Sequence, residues 1–155
     1  MIAGGDSEVQ NGRPNWRGVW MTRIKGRGIS KGTATGKALI TRQKISFLGA
    51  VDPVTGIIVD KALDIYGESI TDRILIFPGG KGSTVGSYVI YQLKKHGKSP
   101  LAMITRSAGT IVAVGAIIAE IPVVDSLEID PIDGDLIRND DEVRVNGTEG
   151  YVELH

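Results

Sequence analysis

Phe77-Pro78-Gly79-Gly80-Lys81-Gly82-Ser83-Thr84-Val85-Gly86-Ser87-Tyr88 is a glycine-rich turn between two apolar patterns of different period. The run Ile74-Leu75-Ile76-Phe77 before it reads as a buried strand, and Val85, Val89 and Leu93 after it recur at helical spacing. Strand, turn and helix therefore deliver Ser83 to a helix start. Glycines 79, 80 and 82 around Lys81 permit positive φ and close backbone approach, and a helix start offers unpaired N–H groups that favour an anion. The stretch is a place to hold a carboxylate or phosphate beside a hydroxyl. The ordinary alternative is that Ser83 is a helix N-cap and the glycines are loop residues, and the spacing leaves both open.

Working outward, the chain reads as strand-rich from Met21, with strands over 22–28 and 36–42, a turn at Asp52-Pro53-Val54-Thr55-Gly56, and a short strand at Ile57-Ile58-Val59. Residues 72–77 form the next strand and 83–96 the first helix, with Gly97 as its C-cap. Residues 101–105 follow as a buried strand. Thr110 can cap a helix over 111–119, apolar on every face and so predicted fully buried, and Pro122-Val123-Val124 completes a β-α-β-α-β unit. In the tail, Val143 and Val145 alternate with Arg144 ahead of a turn at Asn146-Gly147, a hairpin signal. The predicted class is α/β, with a strand-rich barrel-like portion joined to that unit.

With 155 residues, one domain with a real core is expected, placed over residues 21–155. Residues 1–20 are polar and glycine-rich and read as a disordered or non-native extension, although Trp16 and Trp20 could anchor it to a surface. There is no secretory apolar segment and no long apolar run, so a cytoplasmic protein without a membrane span is expected. Eighteen basic residues balance eighteen acidic ones, which gives no electrostatic case for nucleic acid or an anionic membrane. The absence of cysteine excludes disulfides, thiolate zinc sites and an iron–sulfur cluster ligated by this chain. His96 and His155 have no partners at ligand spacing, so no metal site is expected here.

The serine turn is not a Walker A loop, because Lys81 is followed by Gly82 and not by Ser or Thr. It is one residue too long for a dinucleotide fingerprint, and the acidic ribose ligand is missing. Arg106, after the next strand, falls at the same sheet end as Ser83 if the strands are parallel, where it could grip a carboxylate or phosphate. A solvated loop arginine is the alternative. The acidic residues Asp130, Asp133, Asp135, Asp140 and Asp141 do not match an EF-hand, and read as turn formers.

Three segments, Val51 to Gly56, Phe77 to Tyr88 and Ile111 to Pro122, closely resemble the swivel domain of the aconitase X family, the resemblance spanning about residues 22–154. It implies a swivelling β/β/α domain acting as the small subunit of a two-subunit dehydratase. It also implies a heterodimeric or larger assembly whose large subunit carries the [4Fe-4S] cluster, with no cofactor bound by this chain. The family's serine proton acceptor falls on Ser83, with Gly80, Lys81, Gly82, Thr84 and Arg106 as candidate substrate-binding residues. Lys81, the glycine amides and the helix start would favour the alkoxide that a serine base requires. The implied substrate is (R)-5-phosphomevalonate, giving trans-anhydromevalonate 5-phosphate for isoprenoid synthesis by the mevalonate pathway. A hydroxyproline-like substrate is the alternative within the family, and a non-catalytic anion- or nucleotide-binding module the alternative outside it. The swivelling phosphohistidine domains share the tail pattern, but Ile111 stands where their histidine belongs.

Overall fold

The computed structural model describes residues 20–155, together with the backbone of two short paired strands, β1 (Glu8–Gln10) and β2 (Arg13–Asn15). From Thr22 on, eight strands form one sheet: β3 (Thr22–Lys25), β4 (Arg27–Ser30), β5 (Thr33–Ile40), β6 (Arg73–Phe77), β7 (Ala102–Thr105), β8 (Val123–Asp125), β9 (Glu142–Asn146) and β10 (Tyr151–Leu154). Their order is β3-β10-β9-β5-β6-β7-β8-β4. Strands β5 to β8 are mutually parallel, and β9, β10, β3 and β4 join them antiparallel.

The two ends of that order, β3 and β4, are separated in sequence by Gly26 alone. One nearly continuous strand therefore pairs with β10 along its first half and β8 along its second, which closes the sheet into a barrel. Closure demands close backbone approach at the seam: a Cβ on Gly147 would lie 1.9 Å from the Ser30 carbonyl oxygen, and one on Gly28 2.2 Å from that of Gly147. Only glycine fits there.

Alternation along the strands separates two cores. Ile24, Ile74, Ile76, Ile104, Val124 and Val143 fill the barrel, and Ile132 and Ile137 of the loop after β8 cap its mouth. Leu39, Leu75, Phe77 and Met103 face outward beneath helices α2 (Gly86–Lys95) and α3 (Gly109–Ala119), which bury Val89, Leu93, Val112 and Ala116 against them. The interrupted turn α1 (Phe47–Ala50) completes this layer through Phe47, whose ring meets Phe77 edge-on at 5.8 Å. The predicted α/β class with a barrel-like portion is thus observed. The antiparallel and parallel parts share one closed sheet.

Several local expectations shift. The strand predicted over 22–28 breaks at Gly26, and that over 36–42 runs from Thr33 to Ile40. Ile57 and Ile58 form only isolated bridges, to Ser69 and Val51. The first helix begins at Gly86, not Ser83, and α3 begins at Gly109 with Thr110 inside its first turn. Gly97 does terminate α2, at φ 68°. The expectation that α3 is buried all round fails: Val114, Ile117 and Ile118 lie on its outer face and are exposed, because only two layers pack against it, the sheet and α2. The reading of residues 1–20 falls largely outside the described residues. Within them, the Trp20 ring stacks on His155 at 4.2 Å.

Candidate active site

Because β5 to β8 are parallel, the loops that follow them gather at one end of the barrel, where open α/β sheets place their ligands. The serine turn leaves β6 there. It is clamped from both sides. On one side the Ile45 N–H donates to Gly79 O and the Lys81 N–H to Ile45 O, both at 3.0 Å. On the other, the Arg106 and Ser107 amides both donate to Pro78 O at 3.2 Å, while Gly80 lies against Val112 of α3.

Gly82 has φ 83°, and a Cβ there would lie 2.4 Å from Ser46 Oγ. This left-handed residue turns the chain so that Lys81, Ser83 and Thr84 all stand exposed. Ser83 is not the N-cap of α2, a position Val85 takes. Its hydroxyl oxygen instead accepts the Val85 N–H at 3.2 Å in a local serine turn, and its carbonyl accepts Gly86 N–H at 2.9 Å. Among the described residues the amides of Gly82, Ser83 and Thr84 find no backbone acceptor, and Lys81 makes no ion pair. An N–H on Ser83 Oγ, three open amides and a free ammonium together favour negative charge at this turn. Ser87, one turn on, is committed elsewhere: its hydroxyl donates to Ile111 O at 2.8 Å and ties α2 to α3.

Arg106 reaches the same end of the barrel on its mouth side. Its guanidinium donates to both oxygens of Asp130, at 3.1 and 3.0 Å, and to Asp133 at 2.7 Å. The Asp130 hydrogen bond, with the attraction of both carboxylates, outweighs desolvation and raises the Arg106 pKa. The same bond, with lesser help from the Ile132 and Asp133 amides, holds Asp130 below the usual carboxylate range against a smaller opposing effect of burial.

Beneath the Arg106–Ala108 loop lies a group that sequence reading did not single out. Asp125, fully buried at the end of β8, accepts Arg27 Nε and Nη2 at 3.0 and 2.9 Å and the Ala108 N–H at 2.9 Å. Burial pushes this carboxyl up, but the Arg27 bonds and the Ala108 amide outweigh it and hold the group ionised below its usual range. It fixes the start of α3, the wall behind Gly79 and Gly80. Its only signal in sequence was an acid ending an apolar strand. Ser46 was also missed, since a serine in a polar loop carries no spacing signal.

Among the described residues no group of three or more His, Cys, Asp or Glu is arranged to hold a metal ion, and no helix is long and apolar enough to cross a membrane. The chain has no cysteine for a cluster.

Residues 23–154 match the family model described as the aconitase X swivel domain. The chain belongs to the aconitase X swivel-domain family. Family members similar to it include the phosphomevalonate dehydratase small subunits of Methanosarcina acetivorans, 56% identical over 132 residues (85% of this chain, 90% of that protein), and of Pyrococcus furiosus, 54% identical over 132 residues (85% and 95%). A crystal structure of Thermococcus kodakaraensis aconitase X in its holo form superimposes with a TM-score of 0.81 at 49% identity, covering 87% of this chain and 99% of that one. A solution NMR structure of a UPF0107 protein gives 0.75 at 46% identity, covering 86% and 99%. The swivel-domain architecture expected from the sequence is therefore shared with solved relatives.

Proposed function

We propose that this chain is the small subunit of a two-subunit hydro-lyase that dehydrates (R)-5-phosphomevalonate to trans-anhydromevalonate 5-phosphate, with Ser83 as the proton acceptor. The names of its relatives support the subunit, the reaction and the mevalonate-pathway role. The observation that carries the role of Ser83 is its geometry: an exposed hydroxyl, polarised by the Val85 N–H, beside three open amides and Lys81.

In this reading the C–H next to the substrate carboxylate gives its proton to Ser83 Oγ. The electron pair left behind becomes the new double bond as the C–O bond to the neighbouring hydroxyl breaks, and the departing hydroxide takes up a proton from solvent to become water. The Val85 N–H and the field of Lys81 favour the alkoxide that takes the proton. Gly80, Gly82 and Thr84 line the substrate's path with backbone donors and a hydroxyl, and Arg106 contributes a cation from the neighbouring loop. Lewis acidity at the leaving hydroxyl would be supplied by a [4Fe-4S] cluster on the large subunit, which fits a chain without cysteine. The open turn lies at the face that the large subunit closes, and the protein acts in the cytoplasm.

The test is Ser83→Ala in the assembled, cluster-loaded complex. It removes one exposed local hydrogen bond, so folding should lose about 1 kcal/mol or less. Turnover should fall about 100- to 10,000-fold, the usual contribution of a general base. Near-normal turnover would show that the hydroxyl is only a turn former. Ser87→Ala, whose hydroxyl is tied to Ile111, provides the comparison at a neighbouring serine.

A further inference from the structure

The substrate of that reading has two anionic ends. Its carboxylate adjoins the carbon that loses the proton, so it belongs with Ser83. The phosphate is at the opposite end of a five-carbon chain and needs a separate cationic seat. The barrel mouth offers one. Arg42 follows β5 and Arg106 follows β7, so the two flank the β6 serine turn on either side. Their guanidiniums converge on a single carboxylate, Asp133, at 3.4 and 2.7 Å.

The three groups are not held equally. Arg106 is oriented from behind by its two-pronged bond to Asp130, and so remains aimed at the same point if Asp133 leaves. Asp133 and Arg42 are both mostly exposed, at 62% and 72%, and an ion pair of that kind is weak. Asp133 precedes Gly134, at φ 99° with open space around it, in a loop with room to shift. Arg42, though not Arg106 or Asp133, also lines an adjoining cavity of about 390 Å³ with Asp64, Ile132, Gly134, Asp135 and Arg138, within the size range of small-ligand sites. A phosphate monoester carries nearly two negative charges near neutral pH and accepts guanidinium donors in pairs, whereas Asp133 brings one charge.

We propose that Arg42 and Arg106 together form the seat for the substrate's phosphate group, and that Asp133 occupies this seat in the free chain. The proposal rests on the reading of the chain as acting on a phosphorylated substrate. Binding replaces the Asp133 carboxylate with the phosphate, while Asp130 keeps Arg106 in place. Asp133 thereby acts as an internal competitor.

Two experiments test it. In the assembled complex, Arg42→Gln should lower kcat/KM for 5-phosphomevalonate about tenfold or more, with a rise in KM carrying the larger share, since a charge-assisted bond to the ground-state substrate is lost. Asp133→Asn should move KM the other way. An unchanged KM in Arg42→Gln, or a raised KM in Asp133→Asn, overturns the proposal. The second experiment needs no turnover. Inorganic phosphate is titrated into the isolated full-length chain while the arginine Nε–H and backbone amide resonances are followed by NMR. Arg42 and Arg106 should shift together, and at lower phosphate in Asp133→Asn. Shifts confined to the Gly82–Thr84 amides would overturn it. If the wild-type complex fails to dehydrate 5-phosphomevalonate, the functional reading falls, and the titration still decides whether the two arginines form a phosphate seat.

Discussion

Gly82→Ala probes the device that presents Ser83. The residue sits at φ 83°, where an L side chain costs about 1–2 kcal/mol. Its new Cβ would also lie 2.4 Å from Ser46 Oγ and 3.2 Å from Ser46 Cβ. Rotating Ser46 removes the first contact at the loss of a 3.3 Å hydrogen bond to Leu48 O, and leaves the second. That adds about 1 kcal/mol, drawn from the low end of overpacking costs. The sum is about 2–3 kcal/mol, or a fall in Tm of about 4–12 °C for a chain of this size. Thermal unfolding of the isolated chain reads the total, and a double-mutant cycle with Ser46→Gly separates its parts. Removing the Ser46 side chain should recover about 1 kcal/mol in the Gly82→Ala background, and the strain at φ should persist. A loss below about 0.5 kcal/mol, or no coupling between the two positions, would refute the description of the turn. In the assembled complex the same variant should lose turnover beyond what its folding loss explains, because Ser83 follows directly.

Other consequences can be checked together. Arg27→Ala strips a fully buried carboxylate of its cation, and should lower the midpoint of denaturant unfolding, whereas an unchanged midpoint would show that solvent replaces the exposed Arg27 guanidinium at no cost. Asp125 and Asp130 both titrate below their unfolded value near 4, so the stability they contribute is complete above that value and lost as pH falls through the lowered ones. Acid unfolding monitored between about pH 5 and 2 should therefore be shallower in Asp125→Asn and Asp130→Asn than in wild type. Gly147→Ala, with its Cβ 1.9 Å from a backbone oxygen at the barrel seam, should fail to yield folded protein, whereas Gly134→Ala, strained only by φ 99°, should lose about 1 kcal/mol. Soluble, native-like expression of Gly147→Ala would disprove the seam.

Where a signal was local, it was legible in the chain. The period change from Ile74-Leu75-Ile76-Phe77 to Val85, Val89 and Leu93 located β6, the serine turn and α2, because strand and helix periodicity are properties of neighbouring residues. The Gly82 turn and the Gly97 stop were equally readable, since positive φ is a preference of the residue itself. Absence of cysteine likewise limited what this chain can ligate by itself. What tertiary structure alone decided is pairing over long separation. Closure of the barrel joins Gly28 to Gly147, which carry no mark of one another in sequence. The same is true of Arg27 and Asp125, 98 residues apart, and of Arg42 and Arg106 meeting at Asp133. The helix over 109–119 shows the limit most directly: its composition implies burial on all sides, but only the packing reveals that two layers cover it and that Val114, Ile117 and Ile118 face outward. Composition sets how much apolar surface seeks cover, and only the arrangement of the elements decides how much is covered.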